Sequence, residues 1–353
     1  MKVLLLSRYG SLGASSRVRF LQYLPYFRSQ SVEVTIKPLF SNAYLEGLYS
    51  GGSRWREVLK GYAERVLVLL GACRFDVVII EKELFPFMPA IAESYLRLIG
   101  VPYVADYDDA LFHRYDCHTN PWVRRFLGQK IDFVMRHAAT VIAGNNYLAE
   151  RAHRAGANRV EIIPTVVDTE RYQPKQKAVG KVPIVGWIGT PQTSRYLKPL
   201  LPMFESLKNE MPVRFVAVGA NSEDFEGTPV EAWSWSEETE VESVQEFDIG
   251  IMPLVDSPWE RGKCGYKLIQ YMACGVAVVA SPVGVNREII ISHENGLFAD
   301  SLGEWDKALR TLLNVDSDVR ERMGGAGRAR VTDWYSVQCQ ASRLLDKLYE
   351  AAN

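Results

Sequence analysis

Five cysteines in 353 residues are too few and too scattered to frame a fold. They stand at 73, 117, 264, 274 and 339, with no C-x-x-C pair and an odd total. This excludes a complete disulfide framework and the common structural zinc patterns, and it fits a reducing compartment. Long apolar runs are absent too. No window approaches the ~18 residues of a membrane-crossing helix, and the apolar run in "MKVLLLSRYG" is too short for a secretory leader. A soluble or peripheral cytoplasmic protein is the expectation. Also missing are G-x-G-x-x-G and the G-K-[ST] ending of a nucleotide-triphosphatase loop, which disfavours a nicotinamide enzyme and an ATPase.

Charge is balanced overall, at a net -1, but not along the chain. Residues 1–177 hold 24 Lys+Arg against 17 Asp+Glu, and residues 178–353 hold 17 against 25. A basic first half points to a polyanionic partner or a membrane surface.

What is present is a rhythm. Short apolar, β-branched segments at 2–7, 32–39, 75–81, 101–107, 140–145 and 160–166 read as buried strands. Helical patterns separate them at 14–28, 54–72, 86–99, 122–137 and 146–155. After "QPKQKAVGKVP" (173–183), which reads as a linker, the rhythm restarts. Strands are expected at 184–189, 213–219, 230–235, 248–254, 276–281 and 296–299. Helices are expected near 194–209, 238–246 and 262–275, from 285, and at 304–313, 316–330 and 336–351. Strands alternating with helices predict two doubly wound parallel α/β domains, 1–177 and 178–335. Ligands of such sheets bind beyond the carboxyl ends of the strands.

Four strand-end loops carry polar chemistry. In "SRYGSLGASSRVRF", Gly13 opens a helix start with Arg17 one turn in, a place for an anion. "GWIGTPQTSRYL" repeats the design with Gly189, Thr190, Thr193 and Arg195. "ADYDDALFHRYD" packs Asp106, Asp108 and Asp109 near His113. These carboxylates read as a grip on sugar hydroxyls, a Mg²⁺ site, or an N-cap by Asp109 on "ALFHRY". The fourth loop, "SPWERGKCGYKLIQYMACGVAVVASPVGVNREII", places Arg261, Lys263, Lys267 and Arg287 at two strand-to-helix turns, with Glu288 in a first helical turn. Cations there suit a diphosphate. Lys267 and Gln270 share one helix face.

The segments "YMACGVAVVASPVGVNREII", "ENGLFA" and "RVEIIPTVVDTERYQP" together resemble retaining glycosyltransferases of the GT-B fold, family 4. The resemblance implies two Rossmann-like domains facing a central cleft, an acceptor domain first and a donor domain second. It also implies that the last helix (336–353) packs back on the first domain. It implies transfer of a sugar, with retention, from a UDP- or GDP-sugar to a glycan or lipid-linked acceptor, in polysaccharide or glycoconjugate synthesis. No metal or other cofactor is expected, no nucleic acid, and peripheral contact with an anionic membrane at its inner face is. By position, Arg195, Lys263 and Lys267 would stabilise the departing diphosphate, and Asp108 or Asp109 would face the sugar or acceptor. Gly13, Gly189, Thr190, Thr193, Gln270, Gly284, Val285, Asn286 and Glu288 would hold the donor. The family's E-x7-E carboxylates fall on Gly262 and Gln270, so that pair is missing. Lys267 stands where the family has proline, as in a similar bacterial branch. A nucleotide-sugar epimerase and a non-catalytic sugar-nucleotide-binding subunit are the competing readings.

Overall fold

The structure is a computed structural model that describes residues 1–49, 55–176 and 180–353. The expected linker at 173–183 thus lies partly outside the described residues. The chain forms two compact units. The first takes in Met1–Val166, Arg261–Cys264 and Cys339–Asn353; the second takes in Val167–Glu260 and Gly265–Gln338. Val167 and Tyr172 are buried in the core of the second unit.

All twelve expected strands form. In the first unit these are β1 (Lys2–Leu6), β2 (Glu33–Ile36), β3 (Val77–Glu81), β4 (Tyr103–Tyr107), β5 (Thr140–Ala143) and β6 (Val160–Ile162). They make one parallel sheet in the order β2-β1-β3-β4-β5-β6. In the second unit they are β7 (Ile184–Ile188), β8 (Arg214–Val218), β9 (Val230–Trp233), β10 (Ile249–Met252), β11 (Ala277–Ala280) and β12 (Gly296–Phe298). Their order is β12-β11-β10-β7-β8-β9, again parallel. Every residue of β3, β4, β5, β7, β10 and β11 is buried. That requires cover on both faces, which a parallel α/β fold supplies. The strand order reverses between β1 and β3, and between β7 and β10. Those two places open crevices at the strand ends.

The helices depart from expectation at prolines and, in one case, at a glycine. The pattern at 14–28 breaks into Ala14–Arg19, a single turn at Leu21–Tyr23 and Leu24–Ser29, with Pro25 opening the last piece. The helix expected from 86 begins at Ile91, beyond Pro86 and Pro89. The 122–137 helix is two, Pro121–Leu127 and Lys130–His137, broken by a turn at Gly128 and Gln129. The 194–209 helix forms only from Leu201, after two single turns, the second of which contains Pro199. Asn146–Ala155 forms as expected, because Asn145 caps it by accepting from the Leu148 amide at 3.0 Å and Gly156 ends it at φ 85°.

The helix of greatest interest, Tyr266–Ala273, lies between glycines at φ 66° (Gly265) and 71° (Gly275). A methyl at Gly265 would be strained and would collide with Ile289, so the helix start sits directly on the turn at 285–289. Its back packs on the helix Ser317–Trp334, where a methyl on Gly324 would overlap the Gly275 carbonyl. Neighbouring Gly325 faces open space. Gly324→Ala should therefore destabilise the protein by about 1–3 kcal/mol. Gly325→Ala should instead stabilise it by about 0.5–1 kcal/mol, through helix propensity. Urea unfolding of the two variants checks both signs.

Candidate active site

The carboxyl ends of β1, β3 and β4 gather a dense polar cluster in the first unit. Glu81, the last residue of β3 and 1% exposed, accepts hydrogen bonds from the Arg8 amide at 2.7 Å and the Ser16 hydroxyl at 2.6 Å. The Ser15 hydroxyl lies 2.9 Å from Glu81 and 2.7 Å from Asp108, and its single proton serves one of them. The small residues after Gly13 thus turn their hydroxyls onto protein carboxylates. Gly13 itself is required because a side chain there would collide with Tyr9. Asp106 is gripped by Arg19 through two bonds of 3.0 and 2.5 Å, and Arg19 also donates to the Ile163 carbonyl.

Lys82 follows at φ 67°, a left-handed conformation that costs a non-glycine residue about 1–2 kcal/mol. It carries Nζ to 2.7 Å from Asp108 and 3.1 Å from Asp109. Burial by itself raises the Asp108 carboxyl, but Lys82 and then Arg19 outweigh it and leave the pKa below the ordinary value. Asp108 is therefore a held anion. Asp109 is not a helix cap: the next helix opens at His113 with Phe112 in the capping position and no side-chain bond. His113 instead meets Asp116 at 2.9 Å and the Tyr147 hydroxyl at 2.8 Å. His113, Asp116 and Cys117 come close enough to share a metal ion, but Arg151 pairs with Asp116 at 3.0 Å.

The turn Arg261–Cys264 belongs to this unit. Asn145 Nδ2 donates to the Gly262 and Lys263 carbonyls, each at 3.0 Å, and the Cys264 thiol donates to the Asp108 carbonyl at 3.1 Å. A side chain at Gly262 would collide with Ala110. This clamp brings Lys263 beside the Asp108–Lys82–Asp109 cluster.

In the second unit, Gly189, Thr190 and Thr193 form a tight turn after β7. The Thr193 hydroxyl donates to the Thr190 carbonyl at 3.0 Å and accepts from the Thr190 amide at 3.1 Å. Gly189 lies against the indole of Trp187, and the Lys267 ammonium stands 5.2 Å from that ring. Val285 and Asn286 meet Gly265 at the head of the same helix. Gly284 takes φ 52°, and Asn286, 1% exposed, donates to the Ser281 carbonyl at 3.0 Å. Glu288 is exposed on the short helix Asn286–Ile289. The strand-end rule thus unites Gly189, Lys267 and the 284–288 turn. Arg195 turns elsewhere: its side chain is 68% exposed, bonds the Tyr196 hydroxyl at 3.2 Å and lies 3.9 Å from Glu260. These three residues line a cavity of about 480 Å³ with Leu254, Ser257 and Trp305.

Gln270 is 2% exposed and donates to the Tyr172 hydroxyl at 3.0 Å. The Tyr172 hydroxyl donates in turn to Glu240, which also accepts from the Trp235 indole at 2.8 Å. A buried carboxylate therefore stands one hydroxyl away from position 270. Sequence reasoning missed Glu240, Tyr172, Trp187, Glu81, Lys82 and Asn145. The one local signal was "EKE" (81–83), three charges closing a fully apolar strand.

Two family models match the chain, one on each unit. Residues 38–165 match the glycosyl transferase 4-like domain, and residues 182–315 match the glycosyl transferases group 1 model. No individual curated protein matches the sequence. Among solved structures, sucrose-phosphate synthase from Thermosynechococcus elongatus is 14% identical, with a TM-score of 0.71 over 99% of this chain and 100% of that one. HepE of Anabaena in complex with UDP-glucose is 16% identical, at 0.69 over 99% of each chain. An α,α-trehalose 6-phosphate synthase from Burkholderia multivorans is 12% identical, at 0.68 over 100% of this chain and 99% of that one. At these identities the structural likeness is one of fold, α/β of the GT-B type. Together with the family matches it supports a glycosyltransferase of that fold.

Gln270→Glu should destabilise the protein by about 1–3 kcal/mol, because two carboxylates would then compete for one phenolic proton. The deficit should shrink as pH falls and the new carboxyl protonates. The double variant Glu240→Gln/Gln270→Glu should recover most of it, measured by urea unfolding. Lys82→Met should cost about 3 kcal/mol at pH 7 by leaving two carboxylates uncompensated. The depressed Asp108 pKa contributes stability above the ordinary carboxylate value of about 3.9, and this is lost as pH falls through the lowered value. The gap between wild type and Lys82→Met should therefore narrow in acid.

Proposed function

We propose that the chain is a retaining glycosyltransferase that moves a sugar from a nucleoside-diphosphate sugar to a glycan or lipid-linked acceptor. The observation that carries this reading is the gathering of the Gly189 turn, Lys267 and the 284–288 turn about one helix start, within the unit matched by the group 1 model. Departure of a nucleoside diphosphate places negative charge on phosphate oxygens. Preorganised cations and backbone amides stabilise that charge without moving. Lys267, half-buried, is the nearest such cation. Arg195 is a second, reaching the phosphates by turning from Glu260. Glu288 and the backbone at Gly284 and Val285 would meet sugar hydroxyls. Gln270 acts through Tyr172 and Glu240.

On the first unit, Asp108 and Asp109 would face the acceptor. Asp108 is held ionised, so it accepts hydrogen bonds from hydroxyls and has no proton to give. Retention fits this division of labour: the acceptor enters on the face the diphosphate leaves, and the protein supplies electrostatics in place of a covalent step. The UDP-glucose held by the Anabaena protein makes UDP-sugars the first donors to test, with GDP-sugars next. Peripheral work at the cytoplasmic face of an anionic membrane fits the basic first half.

Incubation with radiolabelled UDP- and GDP-sugars tests the proposal: slow donor hydrolysis, or transfer to lipid or glycan, with the α-anomer kept, is expected. Inversion at C2 would replace it with an epimerase, and binding without turnover with a scaffold. Lys267→Ala should lower kcat by about 10²–10³ with the unfolding midpoint unchanged. An undiminished rate would remove Lys267 from the diphosphate. Arg195→Ala should likewise lower kcat, by a smaller factor.

A further inference from the structure

The helices that cover one face of the first sheet bury their inner sides in a single core. Their outer sides are unusual. Ile91 is 68% exposed, Trp122 65% and Phe126 69%. Solvent-exposed side chains of this size are singly unremarkable, but here they adjoin. Trp122 and Phe126 stack, with ring centroids 5.9 Å apart and planes at 8°. Phe126 and Ile91 line one groove of about 630 Å³. Arg125, Arg136 and Arg154 line the same groove, all three exposed. Among the described residues none of the three pairs with a carboxylate. The groove's one acid, Asp132, is already held by Arg151 at 2.6 Å, and its lysine, Lys130, is buried against Glu83.

Aromatic rings beside guanidinium groups that no carboxylate neutralises suit the headgroup layer of a bilayer. Rings sit at the level of the glycerol esters, arginines meet lipid phosphates, and their aliphatic stems lie along the apolar surface. No helix among the described residues is long and apolar enough to cross a membrane, so the contact would be one of lying on the surface. A second copy of this chain is a poor occupant. A two-fold contact sets each patch against itself, and would bring the arginines of both copies together.

We infer that this face of the first unit, the Trp122–Phe126 pair and the groove with Arg125, Arg136 and Arg154, docks on an anionic lipid bilayer. The inference deepens the reading of a lipid-linked acceptor and rests on it for its purpose, but not for its test. The loop leading into Ile91 follows β3, whose end carries Glu81 and Lys82. A bilayer on this face would therefore deliver a lipid-borne acceptor along the helices towards the Asp108 cluster.

Co-sedimentation of the full chain with vesicles of phosphatidylcholine containing roughly one-third phosphatidylglycerol tests it, without donor. Binding is expected to the anionic vesicles, to fall with salt, and to be absent with phosphatidylcholine alone. Trp122→Ala/Phe126→Ala and Arg125→Gln/Arg154→Gln should each weaken partitioning about tenfold or more, with unchanged unfolding midpoints since all four residues are exposed and neither arginine bonds outside its own helix. Failure to sediment with anionic vesicles would overturn the inference. So would full binding by both variants, or self-association of the wild type that the same substitutions abolish. Donor hydrolysis measured on the same preparations keeps the two readings apart: a variant that turns over donor but leaves the vesicles loses only the docking.

Discussion

Both sheets are buried on both faces, and this confines the protein's polar chemistry to the strand ends. A charged group in the middle of β3 or β10 would meet only apolar side chains and would have to shed its charge or unfold the strand. The first permitted position is the last residue of a strand. Glu81 uses it, and Asp106 comes one residue short of it on β4. Once there, each carboxylate needs partners that the strand cannot supply. The loops supply them: Ser15, Ser16 and the Arg8 amide from the turn after β1, Arg19 from the helix beyond, and Lys82 from the residue next in sequence. The left-handed backbone at Lys82 is what turns its ammonium back towards the β4 loop.

Asn145 shows how one side chain can serve two tasks in such a loop. Its oxygen caps a helix while its nitrogen holds the carbonyls of Gly262 and Lys263. The amide is the only side-chain group that offers an acceptor and two donors from neighbouring atoms. Neither aspartate nor serine could do both. The turn from 261 to 264, distant in sequence from the rest of its unit, is thereby fixed beside Asp108.

The fold was legible because its signal is local. Apolar β-branched runs such as "DVVII", separated by helical patterns, need no distant partner to be recognised. Strand ends were overread by up to four residues, since apolar character continues past the last ladder bond, as at Val166 after β6. Helices were overread where a proline, or in one case Gly128, lay inside an otherwise good pattern. The site was legible only in part. That Gly189, Lys267 and the 284–288 turn lie together could be read because the strand-end rule gathers loops by topology. Glu240 and Tyr172 were not, because their meaning lies in a partnership 68 residues apart, and a glutamate opening a short helix looks like any other. The cap assigned to Asp109 failed for a related reason: Lys82, 27 residues upstream, already holds it.

Tyr172 has one proton, and Gln270 and Glu240 stand on either side of it. The hydroxyl must donate to one neighbour and accept from the other. The cluster therefore has a polarity, running from Gln270 through Tyr172 to Glu240, and it holds a single negative charge. A second carboxylate at position 270 would break that parity; an amide there keeps it. The negative charge of this cluster thus sits on the helix that Glu240 opens and reaches the helix of Gln270 only through a phenol.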